Sequence, residues 1–392
     1  MNRKVVLMTA ACFASYFLFG FVDNMKGATL PSILEETGFG YAAGGNIVLA
    51  EYGGFVLATL LTGVLADILG RRSVMFIAGL FLVAGIWGYS GAKGMFSFVA
   101  AFSLVGVGCG ALELGGSNIV SAIHGGNRGR YLNLLSCFHG VGSTLAPLYI
   151  AWLASAGFGW RAAYRGCLIA VAAFILLFLF AKDPGTQSAR SRGVAWGALL
   201  RSVASRRMAL LFVLMFSYVA TEICMASWLA DFLLKDKGLS FTAGSAFLSL
   251  FFACFMAGRF AGSFVVDKLG HLRVLGFCAA VAAVTLAVGI FGPPWLAVSL
   301  PLAGLFYAVV FPTATAVVSN DIADNRGTVL GLLFCCGGIG GMLGPWLTGM
   351  MNQAIGLKAG MAVNIGFCLV IVACVAALAA GERRAGGGSR AG

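Results

Sequence analysis

The stretch VAAFILLFLF, residues 171–180, contains no polar side chain and no alternation of apolar with polar residues. Transmembrane β-strands alternate between lipid-facing and lumen-facing residues, so this run favours a helix. A helix needs about 20 apolar residues to cross the ~30 Å hydrocarbon core of a bilayer. Comparable runs recur from Val5 to Ala380, separated by short polar breaks. The sequence therefore predicts an all-α membrane protein with about twelve transmembrane helices.

Composition and charge agree with this prediction. Hydrophobic residues make up 60% of the 392 residues and charged residues 10%, whereas soluble domains carry about 25% charged residues. The net charge of +12 invites a nucleic-acid-binding interpretation, but most of the 26 Lys and Arg fall in loops on the side that carries both termini. By the positive-inside rule we expect cytoplasmic termini, a multi-pass protein of the bacterial inner membrane and no nucleic-acid partner.

The longest polar and basic segment, residues 182–206, lies near the middle of the chain. We predict a cytoplasmic linker there, attracted to anionic lipid head groups. It separates a predicted N-terminal six-helix bundle at 1–181 from a C-terminal bundle at 207–381, and a cytoplasmic tail follows at 382–392. The first predicted span, 5–25, is expected to stay uncleaved, because polar residues follow it where a signal peptide has small ones.

The two predicted bundles resemble each other in sequence. Three matches occur in the same order and at nearly one offset: ADILGRR at 66–72 with VDKLGHLR at 266–273, HGVGSTLAP at 139–147 with GGIGGMLGP at 337–345, and the region of Asn24 with that of Glu222. Three ordered matches favour a duplicated unit over chance. We therefore predict two pseudo-symmetric six-helix bundles, which is the arrangement of the two halves of major facilitator transporters.

The loop GVLADILGRR, residues 63–72, resembles the cytoplasmic signature of the major facilitator superfamily. Its glycines permit a tight turn, and its carboxylate can accept from a neighbouring helix N-terminus. The resemblance implies that the loop gates the two halves against each other. The predicted gating residues are Gly63, Asp67, Gly70, Arg71, Arg72 and, in the second copy, Asp267. The alternative is a plain turn whose arginines only fix the topology.

Four segments resemble the fucose permease-like branch of that superfamily: RGRYLNLLSCFHGVGSTLAP at 128–147, LFVLMFSYVATEICMASWLADFLL at 211–234, FMAGRFAGSFVVDKLG at 255–270 and FPTATAVVSN at 311–320. This resemblance implies uptake of a neutral monosaccharide together with a proton, using one carboxylate in the first helix and one in the fourth. The fourth-helix acid corresponds to Glu113. Counting back from Pro31, the first-helix acid falls on Gly27, and Asp23 lies one turn earlier.

The residues around Glu113 support a proton-coupling role independently. Gly106, Gly110, Glu113 and Ser117 share one helix face, and small residues let a neighbouring helix or a cavity come close. An acid inside the membrane is a functional hypothesis by default, and burial disfavours its charged form. Glu113 is therefore predicted to bind and release a proton. The alternative is an acid held permanently by a buried partner such as His139.

Asp23 is the second predicted proton-coupling residue. It shares a stripe with Tyr16 and Gly27, which suggests that it faces inward. A structural ion pair of Asp23 with Lys26 is the alternative, and Glu51 in the second span is expected to help neutralise Lys26.

Predicted contacts to a hydroxylated solute come from polar and aromatic side chains within the spans, since sugars bind through hydrogen bonds and through C–H faces laid on aromatic rings. The candidates are Asn24, Asn133, His139, Glu222 and Trp228. For each of them the alternative is a contact that ties two helices together.

Charge also restricts the expected substrate. No cation other than Lys26 is expected to face a central cavity, and a carrier of anions needs such a cation. We predict a monomeric carrier of a neutral hydroxylated solute and protons, with an exporter of drugs or small metabolites as the alternative. The sequence contains no M-x-x-x-M cluster of the kind that a metal carrier would use. It also lacks the enzyme motifs G-x-S-x-G and H-E-x-x-H. We therefore expect no enzymatic activity, no metal and no cofactor.

Overall fold

The computed structural model describes residues 3–124, 127–181, 205–321 and 326–388. The described chain is almost entirely helical, because in hydrocarbon each backbone N–H and C=O must be paired within the protein. Within those ranges the α-helices are α1 (Arg3–Thr37), α2 (Tyr41–Leu69), α3 (Arg71–Gly91), α4 (Met95–Ile123), α5 (Arg128–Ser155), α6 (Trp160–Phe180), α7 (Arg206–Lys235), α8 (Phe241–Leu269), α9 (His271–Phe291), α10 (Ser299–Tyr307), α11 (Val310–Asp321), α12 (Arg326–Ala354) and α13 (Leu357–Gly388).

In these described ranges, twelve stretches are long and apolar enough to cross a membrane. The prediction of about twelve transmembrane helices is thereby confirmed. The tenth span is composite: a 3₁₀ turn at Pro294–Val298 leads into α10, and α11 completes it. The interruption falls before Pro312, whose missing N–H removes a helical hydrogen bond to the preceding turn.

The first helix is longer than its sequence pattern predicts. It runs to Thr37 rather than to residue 25, so Lys26 lies inside the helix and not in a loop. The extension buries Leu30 and Ile33 completely or almost so. A lysine usually marks the end of a span, but here two carboxyl groups lie beside its ammonium group, as described below, and the helix continues.

The described residues form two compact units. The first comprises those within Met1–Arg190 together with Ala226–Ala253, and the second comprises those within Ser191–Met225 and Cys254–Gly392. The outer part of α7 and the first part of α8 therefore pack with the N-terminal helices. The predicted domain bounds at 1–181 and 207–381 follow the sequence repeat and stay a prediction. Most of the predicted linker, 182–204, lies outside the described residues.

Each unit contains the same kind of close helix contact at matching positions of the repeat. In the first unit, a Cβ on Gly142 of α5 would overlap the carbonyl oxygen of Phe17 in α1. In the second unit, a Cβ on Gly340 of α12 would overlap the carbonyl oxygen of Phe216 in α7. Glycine is required at both places because the two backbones touch. The internal repeat is thus present in the packing as well as in the sequence.

Candidate functional site

Helix α4 carries Glu113 against the other helices of the first unit. A Cβ on Gly106 would overlap the carbonyl oxygen of Glu51, and one on Gly110 would lie 2.5 Å from the carbonyl oxygen of Phe55. The glycine face of α4 is therefore a packing surface for α2, where the two backbones touch. Glu113 follows on the next turn and is half-buried. Its carboxyl group thus lies within the membrane-spanning part of the unit and retains some exposure.

Tyr16 of α1 links that helix to the turn of α4 that carries Glu113. Its hydroxyl donates a hydrogen bond to the carbonyl oxygen of Glu113, with an O–O distance of 2.9 Å. The same hydroxyl lies within electrostatic reach of the Glu113 carboxyl group and close to Ser117. The phenol is almost fully buried. The buried hydroxyl of Tyr16 therefore joins α1 to the backbone of α4 at Glu113.

Two of the predicted solute ligands lie on the other flank of α1. The ring of His139 in α5 lies 4.6 Å from the ring of Phe19, measured between centroids. The side-chain amide of Asn24 donates to Ser143 Oγ and to the carbonyl oxygen of Gly20, both at 2.9 Å. Asn24 thus ties α1 to α5, which is the structural alternative considered for it. Helix α1 thus contacts α4 at Glu113 through Tyr16, and α5 at His139 and Ser143 through Phe19 and Asn24.

A buried group of charges lies further along α1. Lys26 Nζ is 2.7 Å from Asp23 Oδ1 and 3.1 Å from Glu51 Oε2. Lys26 and Glu51 are 1% exposed and Asp23 is 4% exposed. The Tyr52 hydroxyl lies 3.5 Å from each oxygen of Asp23. We call Asp23, Lys26 and Glu51 the buried triad.

The remaining predicted ligands lie elsewhere. Asn133 is exposed on α5. Glu222 belongs to the second unit, where its charge and that of Arg259 both act on the buried Tyr218 hydroxyl. The guanidinium of Arg259 also lies 4.7 Å from the centroid of the Phe255 ring. The structure thus places Glu222 in a polar group with Tyr218 and Arg259 of the second unit.

Trp228 lies at the end of the first unit where α1 leads into α2. Its ring is 5.9 Å from that of Tyr41, the first residue of α2. One turn later in α7, Asp231 is completely buried and forms an ion pair of 2.9 Å with Lys235. Lys235 also lies 5.0 Å from the Tyr41 ring centroid. Trp228 therefore belongs to an aromatic and ionic contact between α7 and α2.

The two copies of the predicted gating loop have the same backbone. Gly70 has φ 85° and Gly270 has φ 89°, a left-handed conformation that favours glycine. Arg72 donates from Nε to the carbonyl oxygen of Phe178 at 2.8 Å and also donates to that of Leu179, so it caps the end of α6. The exposed end of α2 contains Gly63 and Asp67, and α3 begins at Arg71. The side chain of Asp267 lies outside the described residues.

Sequence reasoning missed Tyr52, Tyr41, and the Asp231–Lys235 pair. The i,i+4 spacing of Asp231 and Lys235 at the end of a span is a signal that could have revealed the pair. The tyrosines carry no such signal, because only the packing of α2 brings them to their partners. No cluster of three or more His, Cys, Asp or Glu able to hold a metal occurs in the part of the chain that the structure describes.

The twelve apolar spans of the described residues, in a repeated order and with acids inside them, define a polytopic membrane protein. The chain matches the Major Facilitator Superfamily over residues 12–261 and 210–391, and it belongs to that family. The predicted fold class, two pseudo-symmetric six-helix bundles, is confirmed. The family assignment also establishes a multi-pass membrane protein of a class whose members carry out secondary transport.

Known proteins similar to this chain cover nearly its whole length. "Protein TsgA" of Escherichia coli O6:K15:H31 is 23% identical over 95% of each chain. A bacterial homologue of the human lysosomal transporter Spinster superposes with a TM-score of 0.81 at 16% identity, covering 97% of each chain. The E. coli fucose:proton symporter FucP superposes with a TM-score of 0.65 at 18% identity, covering 96% of this chain and 99% of FucP. These likenesses establish the fold, and the fucose permease-like branch stays a prediction.

Proposed function

We propose that this protein takes up a neutral, sugar-like solute together with protons, by alternating access across the bacterial inner membrane. Both termini are then cytoplasmic, and a monomer is the working unit. The observation that carries the proposal is the position of Glu113, a half-buried acid within a membrane span, whose backbone carbonyl oxygen accepts a hydrogen bond from Tyr16. A proton carrier of this kind needs an acid within the membrane-spanning part of the protein.

The energetics suit this role. One proton moving down ~100 mV gains about 2.3 kcal/mol, which suffices to accumulate a neutral solute some tens of fold. Each unit of pH difference adds about 1.4 kcal/mol. Because an acid in a span is favoured in its neutral form when sealed from water, protonation of Glu113 can be linked to closure of the site. Asp23 is the second proposed proton-coupling residue.

The charge of the buried triad supports a neutral solute. Lys26 is the cation closest to the predicted binding residues of α1, and both Asp23 and Glu51 lie within 3.1 Å of its ammonium group. Its charge is already compensated, so it has little to offer an anionic substrate. The proposed ligands for hydroxyl groups and sugar faces remain Asn24, Asn133, His139, Glu222 and Trp228.

The loop residues are proposed to stabilise one state of the cycle. Arg72 anchors the start of α3 to the end of α6, so a movement of this corner displaces the two helices together. Gly63, Asp67, Gly70, Arg71 and Asp267 are the other proposed gating residues. At the opposite end of the first unit, Tyr41 contacts Trp228 and Lys235. This contact is proposed to close the solute path in the same state of the transport cycle.

Uptake into proteoliposomes tests the proposal. Proteoliposomes containing the wild type, Glu113→Gln or Glu35→Gln are placed in an acidic external buffer. A panel of labelled monosaccharides and nucleosides is then added outside. Glu35 is an exposed acid of α1 and provides a matched control. We expect gradient-driven accumulation of one neutral solute in the wild type and in Glu35→Gln, and its loss in Glu113→Gln. Equal accumulation in all three removes Glu113 from coupling, whereas efflux driven by the gradient identifies an exporter.

A further inference from the structure

The buried triad contains one more acid than base. Asp23, Lys26 and Glu51 are each at least 96% buried, and two carboxyl groups share a single ammonium group. If all three were ionised, the interior of the first unit would carry an uncompensated negative charge. Burying such a charge is far more costly than binding a proton, and buried acids neutralise instead. One of the two carboxyl groups is therefore expected to hold a proton.

The hydrogen bonds distinguish the two acids. Asp23 Oδ1 accepts from Lys26 at 2.7 Å, Tyr52 lies 3.5 Å from both of its oxygens, and Lys26 also donates to the Asp23 carbonyl oxygen. Glu51 Oε2 lies 3.1 Å from Lys26, and beyond this ion pair neither oxygen of Glu51 has a hydrogen-bond partner among the residues that the structure describes. The anionic form of Asp23 is therefore stabilised by more neighbours than that of Glu51.

The other groups that face Glu51 do not supply a second positive charge. Beyond Asp23 and Lys26 of α1, its charge acts on Tyr89 of α3, Cys109 of α4 and Tyr164 of α6, and Tyr52 is its neighbour in α2. Lys26 is the one cation among these described neighbours. All of these groups except Lys26 are neutral or acidic, so the Glu51 carboxylate has one cation among them and shares it with Asp23.

We propose that Glu51 is an exchangeable proton-binding site, with the proton on Glu51 and the ion pair between Asp23 and Lys26. When the triad reaches water, the proton passes from the Glu51 carboxyl group to a water molecule, and the carboxylate left behind shares Lys26 with Asp23. Asp23, 4% exposed, is the most accessible member of the triad, and the neighbouring Tyr52 is 6% exposed, so water enters from their side in this proposal. The role of Glu51 in transport rests on the proposed function. It places the second coupled proton on Glu51 rather than on Asp23.

Infrared difference spectroscopy of the full chain in liposomes tests this assignment without any transported solute. The spectrum of Glu51→Gln is subtracted from that of the wild type at neutral pH, first in H₂O and then in D₂O. We expect the carbonyl stretch of a protonated carboxylic acid, shifted to lower frequency in D₂O as the proton exchanges. Antisymmetric and symmetric carboxylate bands in the difference would overturn the assignment, and a carbonyl band that never shifts in D₂O would overturn proton exchange.

A second measurement covers the case in which Glu51→Gln does not fold. Glutamate or aspartate labelled with ¹³C at the side-chain carboxyl is incorporated into Glu113→Gln/Glu222→Gln, in which Glu51 is the one remaining buried glutamate of the described chain. The protonated band should shift with labelled glutamate and stay in place with labelled aspartate. The opposite result assigns the proton to an aspartate and contradicts the proposal. Since no solute is needed, failure here leaves the Glu113 proposal intact, and failure of the uptake assay leaves this assignment intact.

Discussion

The hydroxyl of Tyr16 donates to the carbonyl oxygen of Glu113 at 2.9 Å, and so joins α1 to the turn of α4 that carries the membrane-embedded acid. The same phenol lies within electrostatic reach of the Glu113 carboxyl group. A proton arriving at Glu113 therefore changes the environment of a residue on a second helix. In an alternating-access cycle, such a contact can transmit the protonation state from one helix to the next.

Replacing Tyr16 by Phe removes this hydrogen bond while keeping the ring. A net contribution of about 1 kcal/mol corresponds to about a fivefold change in an equilibrium. We expect a loss of that order in gradient-driven uptake and a shifted dependence of uptake on external pH. Tyr149→Phe is the matched control, since its hydroxyl donates to the Ala163 carbonyl oxygen between α5 and α6. Identical pH profiles for the two variants would show that Tyr16 only packs.

Removing the cation of the buried triad should destabilise the protein strongly. Lys26→Met leaves Asp23 without its ionic partner, and stranding one member of a buried pair costs about 3–5 kcal/mol. Lys26→Met/Asp23→Asn should recover most of the loss, because the remaining Glu51 can stay neutral. Thermal unfolding in detergent provides the comparison. A double variant no more stable than Lys26→Met would indicate that Glu51 carries the charge.

The pair between Asp231 and Lys235 should respond unequally to loss of either partner. The side chain of Asp231 is 0% exposed, whereas that of Lys235 is 37% exposed. Lys235→Met leaves a buried carboxylate without its cation, while Asp231→Asn leaves an ammonium group that water can still reach. We expect Lys235→Met to lower the unfolding temperature more. Equal losses would show that water already reaches Asp231.

The left-handed connection at Gly70 should not tolerate a side chain. Gly70→Ala forces a non-glycine residue to φ 85°, at a cost of about 1–3 kcal/mol. Gly63→Ala is the control, because Gly63 lies in helix α2 with open space around its Cβ position. That variant should be neutral or slightly stabilising, since alanine favours a helix. Comparable destabilisation of both variants would point to a role for the loop other than this turn.

The spans and the repeat were predictable because they depend on local signals, such as VAAFILLFLF at 171–180 and the two loop copies. The extent of α1 was not predictable in the same way, since Lys26 looks like the end of a span. Glu51, which lies 3.1 Å from Lys26, is on another helix, and only packing brings the two together. The position of Trp228 beside Tyr41 likewise depends on how α7 packs with α2, and no local pattern encodes it.

The most direct test of the central claim is proton entry driven by solute in proteoliposomes containing a trapped pH indicator. A solute from the panel that accumulates in the wild type is added outside without any imposed gradient. We predict internal acidification with wild type and with Glu35→Gln, and no acidification with Glu113→Gln. Acidification of equal rate and extent in Glu113→Gln would contradict proton coupling through this residue.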